Sequence, residues 1–202
     1  MDSKILNGGL LILGTIVGFG AWFLVYPTDP SRETAVQAAE LMGDANIAQV
    51  GIILGYGGMM AVIIGFLNMA RGMQMAGGAG SACAGITAIL SMSLLALMLG
   101  GAGLELGVTE ATTAVGGVTL MGVALALLGA FPLALGLALI MFGIGNILQK
   151  KLHNIVAGLV VLVGVIMIVS PFVDTEVLEF GSFAGYGLVS IVLGVLKLRS
   201  AD

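Results

Sequence analysis

Residues 115–151 read VGGVTLMGVALALLGAFPLALGLALIMFGIGNILQKK, with no charge from Val115 to Leu148 and two lysines directly after Gln149. As one straight helix the uncharged part would be about 50 Å long, against a hydrocarbon core of about 30 Å. How often it crosses decides the topology of the whole chain. Cut at Pro132 into two short spans, it would put Lys150 and Lys151 outside, together with Lys197 and Arg199. Crossing once, as a tilted helix kinked at Pro132 and projecting beyond the outer surface, it keeps every basic cluster on the inner side.

The charges along the rest of the chain favour the single crossing. Lys4, Arg71, Lys150, Lys151, Lys197 and Arg199 fall in segments that alternate with Asp29, Glu33, Glu40, Asp44, Glu105, Glu110, Asp174, Glu176 and Glu179, and Arg32 alone lies among the acids. Between these segments the sequence is almost purely apolar. The positive-inside tendency of membrane insertion produces such a pattern, and it gives both the number and the direction of the spans. Helices are expected near 5–26, 47–69, 81–104, 116–148, 153–173 and 179–197, each a run of about 20 or more apolar residues. The expected fold is an all-α, polytopic six-transmembrane helix bundle, one domain over 1–202, with both termini cytoplasmic and a long, kinked fourth helix. Its expected location is the cell (cytoplasmic) membrane.

Composition agrees. Apolar residues make up 59% of the chain and charged residues 9%, and mean hydropathy is +1.16. A soluble domain runs to roughly 45–50% apolar and about 25% charged, and 202 residues cannot bury this much apolar surface in a core of their own. The lipid bilayer is therefore the first partner. The net charge of −4 hides a basic side and an acidic side. The basic side is thin, which leaves nucleic-acid binding without support. Residues 1–27 have the charged start and apolar run of a secretory signal, but no convincing small-x-small cleavage site follows, and they read as a retained first span. Trp22, Phe23 and Tyr26 stand at its outer end, as an interfacial aromatic belt would place them.

The first outer loop has helix signals of its own near 30–42. Asp29 can cap, Pro30 suits the first turn, Glu33 favours the positive end and Gly43 can end the helix. Val36, Ala39 and Leu41 form only a weak apolar face, so a short helix lying over the outer ends of the spans is expected.

Two hairpins echo each other. Gly55-Tyr56-Gly57 precedes Gly65-Phe66-Leu67 and Arg71; Gly185-Tyr186-Gly187 precedes Gly194-Val195-Leu196 and Arg199. Gly9-Leu10-Leu11-Ile12-Leu13 in the span before the first parallels Gly158-Leu159-Val160-Val161-Leu162 before the second. A repeat of this kind suits a transporter-like site between pseudo-symmetric parts, with Tyr56, Tyr186 and Pro132 as the candidate solute path. In so glycine- and leucine-rich a chain, chance or a purely architectural duplication gives the same pattern.

Of the 33 glycines, several stand four apart: Gly14 and Gly18, Gly51 and Gly55, Gly181 and Gly185. Lipid supplies little hydrophobic drive between helices, so small residues at this spacing, which let backbones approach, mark packing faces. More such faces exist than one six-helix bundle uses, which points to other membrane subunits or a homo-oligomer.

Residues suited to chemistry are sparse. No ionisable residue falls in the middle of a span; Glu105 is the nearest, at the outer end of the third helix, where water is expected to reach it. His153 is the only histidine and reads as a solvated anchor, and Cys83 is the only cysteine. Met69, Met73 and Met75 lie close together without a nearby histidine or cysteine, which favours packing over Cu(I) binding. Gly77-Gly78-Ala79-Gly80 lacks the lysine and hydroxyl residue of a phosphate loop and reads as an inner turn. No cofactor, metal or catalytic set is expected. The reading that fits best is a non-catalytic membrane subunit or scaffold packing through glycine-rich faces; the alternative is a channel or facilitator for a small neutral or apolar solute. An enzyme acting on lipid would have to assemble Glu105, Glu110, Asp174, Glu176 or Glu179 around an external metal.

Overall fold

A computed structural model of the chain describes residues 3–29, 31–173 and 176–199. Pro30 and Asp174 lie outside the described residues, as do the side chains of Glu176 and Glu179. Among the described residues every regular element is helical: α1 (Ser3–Leu24), α2 (Thr34–Gly43), α3 (Ala45–Ala76), α4 (Ser81–Thr109), α5 (Ala114–Leu128), α6 (Phe131–Gln149), α7 (Asn154–Val169), a 3₁₀ turn (Ser170–Phe172) and α8 (Glu176–Arg199). Six stretches are long and apolar enough to cross a membrane, with Ala114–Gln149 counting as one. The chain is an all-α integral membrane protein, as hydropathy and charge segregation imply.

The fourth stretch is interrupted. α5 ends at Leu128 and α6 begins at Phe131. Pro132 has no N–H to give to the Leu128 carbonyl four residues earlier, so the helix breaks one turn ahead of the proline rather than at it. α2 departs from expectation at its start. Asp29 does not cap it; the Asp29 carboxylate accepts from the Ser31 amide (2.9 Å) and hydroxyl (2.8 Å), closing a local turn, and the helix starts at Thr34 with no side-chain cap. Its buried face is Gln37, Ala38 and Leu41, whereas Val36 and Ala39 are exposed.

The chain divides into two compact units. One comprises the stretches 13–60 and 96–130. In it α1 and α3 pack antiparallel through glycine: a Cβ built on Gly58 would overlap the backbone of Gly18 and lie 2.7 Å from the Gly14 carbonyl oxygen, and one on Gly18 would lie 3.1 Å from the Met59 nitrogen. α4 and α5 form a hairpin in which Gly100, Gly101 and Gly107 receive Leu127, Leu128 and Leu120. α2 packs on α5, and Ala38, Leu41, Ala48, Val108 and Met121 make a small buried cluster edged by Tyr26 and Met42.

The other unit comprises 1–12, 61–95 and 131–202. α6 and α7 run antiparallel in close contact. A Cβ on either Gly136 or Gly164 would stand 2.6 Å from the other's carbonyl oxygen, and one on Gly143 would stand 2.8 Å from that of Ala157. α8 meets α7 at Gly185 and Val163 and meets the start of α1, where a Cβ on Gly8 or Gly194 would lie 3.0 Å from the other's oxygen. Phe66 stacks on Tyr186 and meets Phe142 edge-on. The turn between α3 and α4 uses positive φ at Gly77, Gly78 and Gly80; at Gly80 a Cβ would also stand 2.6 Å from the Gly145 oxygen. Gln149 donates to the Met73 and Gly77 carbonyls (3.0 and 3.3 Å), satisfying groups that the end of α3 leaves open. α6 itself ends in a Schellman turn with Lys150 left-handed (φ 54°), Lys151 N–H bonding to Asn146 and Lys150 N–H to Ile147.

Candidate functional site: a carboxyl between two tyrosines

The site begins with two glycines one turn apart on α3. A Cβ on Gly51 would stand 3.0 Å from the Tyr26 Cα, and one on Gly55 would stand 2.6 Å from the Trp22 ring nitrogen. Their bare faces therefore form the seat on which the end of α1 lies. Above it the last turn of α1 widens: the N–H groups of Val25 and Tyr26 both bond to the Ala21 carbonyl (2.9 and 2.8 Å) before Pro27 ends helical pairing. Tyr26 is thereby aimed at α4.

There it meets Glu105. The Tyr26 hydroxyl donates to Glu105 Oε2 (2.8 Å), and the Tyr56 hydroxyl, from α3, donates to Oε1 (2.6 Å). Trp22 stands edge-on to Tyr56 with ring centres 6.0 Å apart. Glu105 is 4% exposed and Tyr56 3%. One turn further along α4, Thr109 accepts from the Gln49 amide (3.0 Å) and donates to the Leu106 carbonyl (2.8 Å), tying α3 to α4 beside the carboxyl.

This placement corrects the expectation that water reaches Glu105. The residue does lie one turn from the end of α4, but the tyrosines and the packed end of α1 cover it. An ionised carboxylate at a span centre costs about 2.5–3.5 kcal/mol on insertion scales. Two hydroxyl donors offset part of such a cost, since a hydrogen bond to a charged group contributes about 1.5–3 kcal/mol. Burial, and secondarily the adjacent carboxyl, push the Tyr26 phenol far above the ordinary tyrosine range, so it keeps its proton at any ordinary pH. No protein-family model, curated protein or solved structure matches the chain.

The remaining candidates lie apart from this cluster. Gly14, Gly18, Gly51 and Gly55 are buried, and Gly185 faces Val163, while Gly181 is exposed with nothing within 4 Å of an added Cβ. Tyr186 is fully buried in the other unit, its hydroxyl without a hydrogen-bond partner among the described residues, so the two Gly-Tyr-Gly tyrosines have unlike surroundings. Pro132 is half-buried in the first turn of α6. Beside Phe66, Thr87 and Ser91 is a cavity of about 10 Å³, room for one water. Met73 is buried against Gly145 whereas Met75 is 83% exposed, so the three neighbouring methionines do not share one environment. His153 is exposed and caps α7, its Nδ1 accepting from the Ile155 N–H at 3.3 Å.

Sequence reasoning singled out Tyr56 and Glu105 separately and did not join them. Their partnership spans 49 positions, and that of Tyr26 with Glu105 spans 79. The available signal was the acid one turn inside an apolar helix, together with one tyrosine at the end of the first span and another inside the second.

Proposed function

We propose that the chain is a non-catalytic integral membrane subunit that packs against other membrane proteins, or a second copy of itself, through small-residue helix faces. The observation that carries this reading is the open face of α5. Thr119, Gly122 and Ala126 are all exposed at helical spacing, and a Cβ on Gly122 would meet nothing within 4 Å. Thr119 already donates to the Val115 carbonyl (2.7 Å), so the face needs no polar partner. Such a notch lets another helix approach closely, the main source of helix association in lipid. The exposed Gly181 and Ala184 on α8 are a second stretch of the same character.

The proposed setting is the cytoplasmic membrane with both termini inside, on the segregation of basic residues. Purification from the native membrane in mild detergent tests the reading. Stable co-migration with another membrane protein or a second copy is expected, and Gly122→Leu should abolish it while leaving the helical content unchanged. A solitary monomer, or an assembly indifferent to Gly122→Leu, refutes it.

A further inference from the structure

The unit that contains Glu105 is almost without cations. Arg32 is the only lysine or arginine in its stretches, and its guanidinium is paired with Glu40. The groups around the carboxyl can be named element by element. The end of α1 brings Tyr26 and α3 brings Tyr56, both as hydroxyl donors. α4 adds Glu110, which is exposed; α2 and the loop before it bring Glu40 with Arg32, and the exposed Glu33 and Asp44; α5 has no ionisable side chain. Among the described residues of this unit, the carboxyl is thus enclosed by hydrogen-bond donors and apolar surface, with no side-chain countercharge beside it.

We propose that Glu105, held between Tyr26 and Tyr56, is a proton-binding site whose bound proton keeps the end of α1 clasped to α3 and α4. The ligand is a proton from water. On uptake it adds to one carboxyl oxygen, and the tyrosine hydroxyl facing that oxygen turns from donor to acceptor. The second hydroxyl continues to donate to the other oxygen, while the hydrogen of the first turns away from the carboxyl. On release the proton returns to water and leaves a negative charge that two hydroxyls only partly solvate. Water must then enter, and it does so by separating Tyr26 from α4. Tyr26 also edges the cluster of Ala38, Leu41, Ala48, Val108 and Met121, so its release loosens α2 as well. A metal ion is a poorer occupant. The two carboxyl and two hydroxyl oxygens fall short of the about six to eight that calcium takes.

The purified protein in lipid provides the test, with infrared spectroscopy reading the carbonyl stretch of a protonated carboxyl and fluorescence reading Trp22, the only tryptophan. In the wild type at neutral pH the band is expected, absent from E105Q. Raising the pH should remove it together with a change in Trp22 emission that E105Q does not show. Tyr56→Phe, which keeps the carboxyl, should change its proton affinity about tenfold, and it remains informative if E105Q does not fold. No Glu105-dependent band at neutral pH, the same emission course in E105Q, or an unmoved midpoint in Tyr56→Phe overturns the proposal. A band that responds to sodium replacing choline at constant pH assigns the site to a metal ion and overturns it too.

Discussion

Gly57 and Gly58 are neighbours on α3, and the packing predicts opposite outcomes for the same substitution. A Cβ on Gly57 meets nothing within 4 Å, whereas one on Gly58 overlaps the Gly18 backbone and stands 2.7 Å from the Gly14 oxygen. Backbone atoms cannot rotate aside as a side chain can, so α1 and α3 must separate. Overpacking of this kind costs about 1–3 kcal/mol. Gly57→Ala has only the helix-propensity effect, a gain of about 0.5–1 kcal/mol. The propensity gain is common to both variants, so Gly58→Ala should be less stable than Gly57→Ala by the overpacking cost, about 1–3 kcal/mol. Unfolding of the purified protein by rising SDS in mixed micelles, followed by Trp22 fluorescence, measures it. Trp22 is well placed as the probe because it rests on Gly55 and against Tyr56 in the same unit. Equal midpoints for the two variants, or a less stable Gly57→Ala, would refute the close α1–α3 approach.

Three further outcomes follow from other parts of the molecule. Tyr186→Phe removes a buried hydroxyl that has no partner among the described residues and should leave stability unchanged or raise it, by up to about 1–3 kcal/mol; a loss above about 1 kcal/mol in the same SDS titration would show that the hydroxyl is satisfied. Lys150→Gly relieves a left-handed non-glycine residue at the end of α6 and should stabilise by about 1 kcal/mol, read as a higher thermal midpoint; an unchanged or lower midpoint counts against the Schellman turn. Tyr26 keeps its phenol proton to higher pH in the fold than in the unfolded chain, so its contribution to stability is intact below about pH 10 and is lost as pH rises beyond that. Ultraviolet titration of wild type against Tyr26→Phe should show no tyrosinate step near pH 10 from Tyr26, and such a step would mean that the residue is open to water.

The six apolar stretches were legible because hydropathy and charge segregation are averages over about 20 residues, which no single contact can overturn. Finer features depended on local competition. Asp29 had two uses for its carboxylate, a helix cap or a turn with Ser31, and the nearer Ser31 amide and hydroxyl prevailed. Pro132 marked the interrupted segment, but the break lies at the carbonyl that loses its donor, not at the proline. Glu105 was misjudged because distance from a helix end was taken as access to water. What decides access is the cover, and the cover comes from Trp22, Tyr26 and Tyr56, seated by Gly51 and Gly55. Glycine spacing was visible in the sequence; what each glycine makes room for was not.

The contact between Gly8 and Gly194 bears on how the protein assembles. Membrane helices insert first as separate spans and associate afterwards. Gly18 and Gly58 lie on consecutive apolar spans joined by a short stretch containing α2, so that pairing can form early. Gly8 and Gly194 are separated by nearly the whole sequence, and contacts of such long range are slow to form. Until α8 arrives, the glycine face at the start of α1 is open to lipid and to the helices of neighbouring chains. Glycine spacing thus sets the order in which the helices associate as well as the places where they meet.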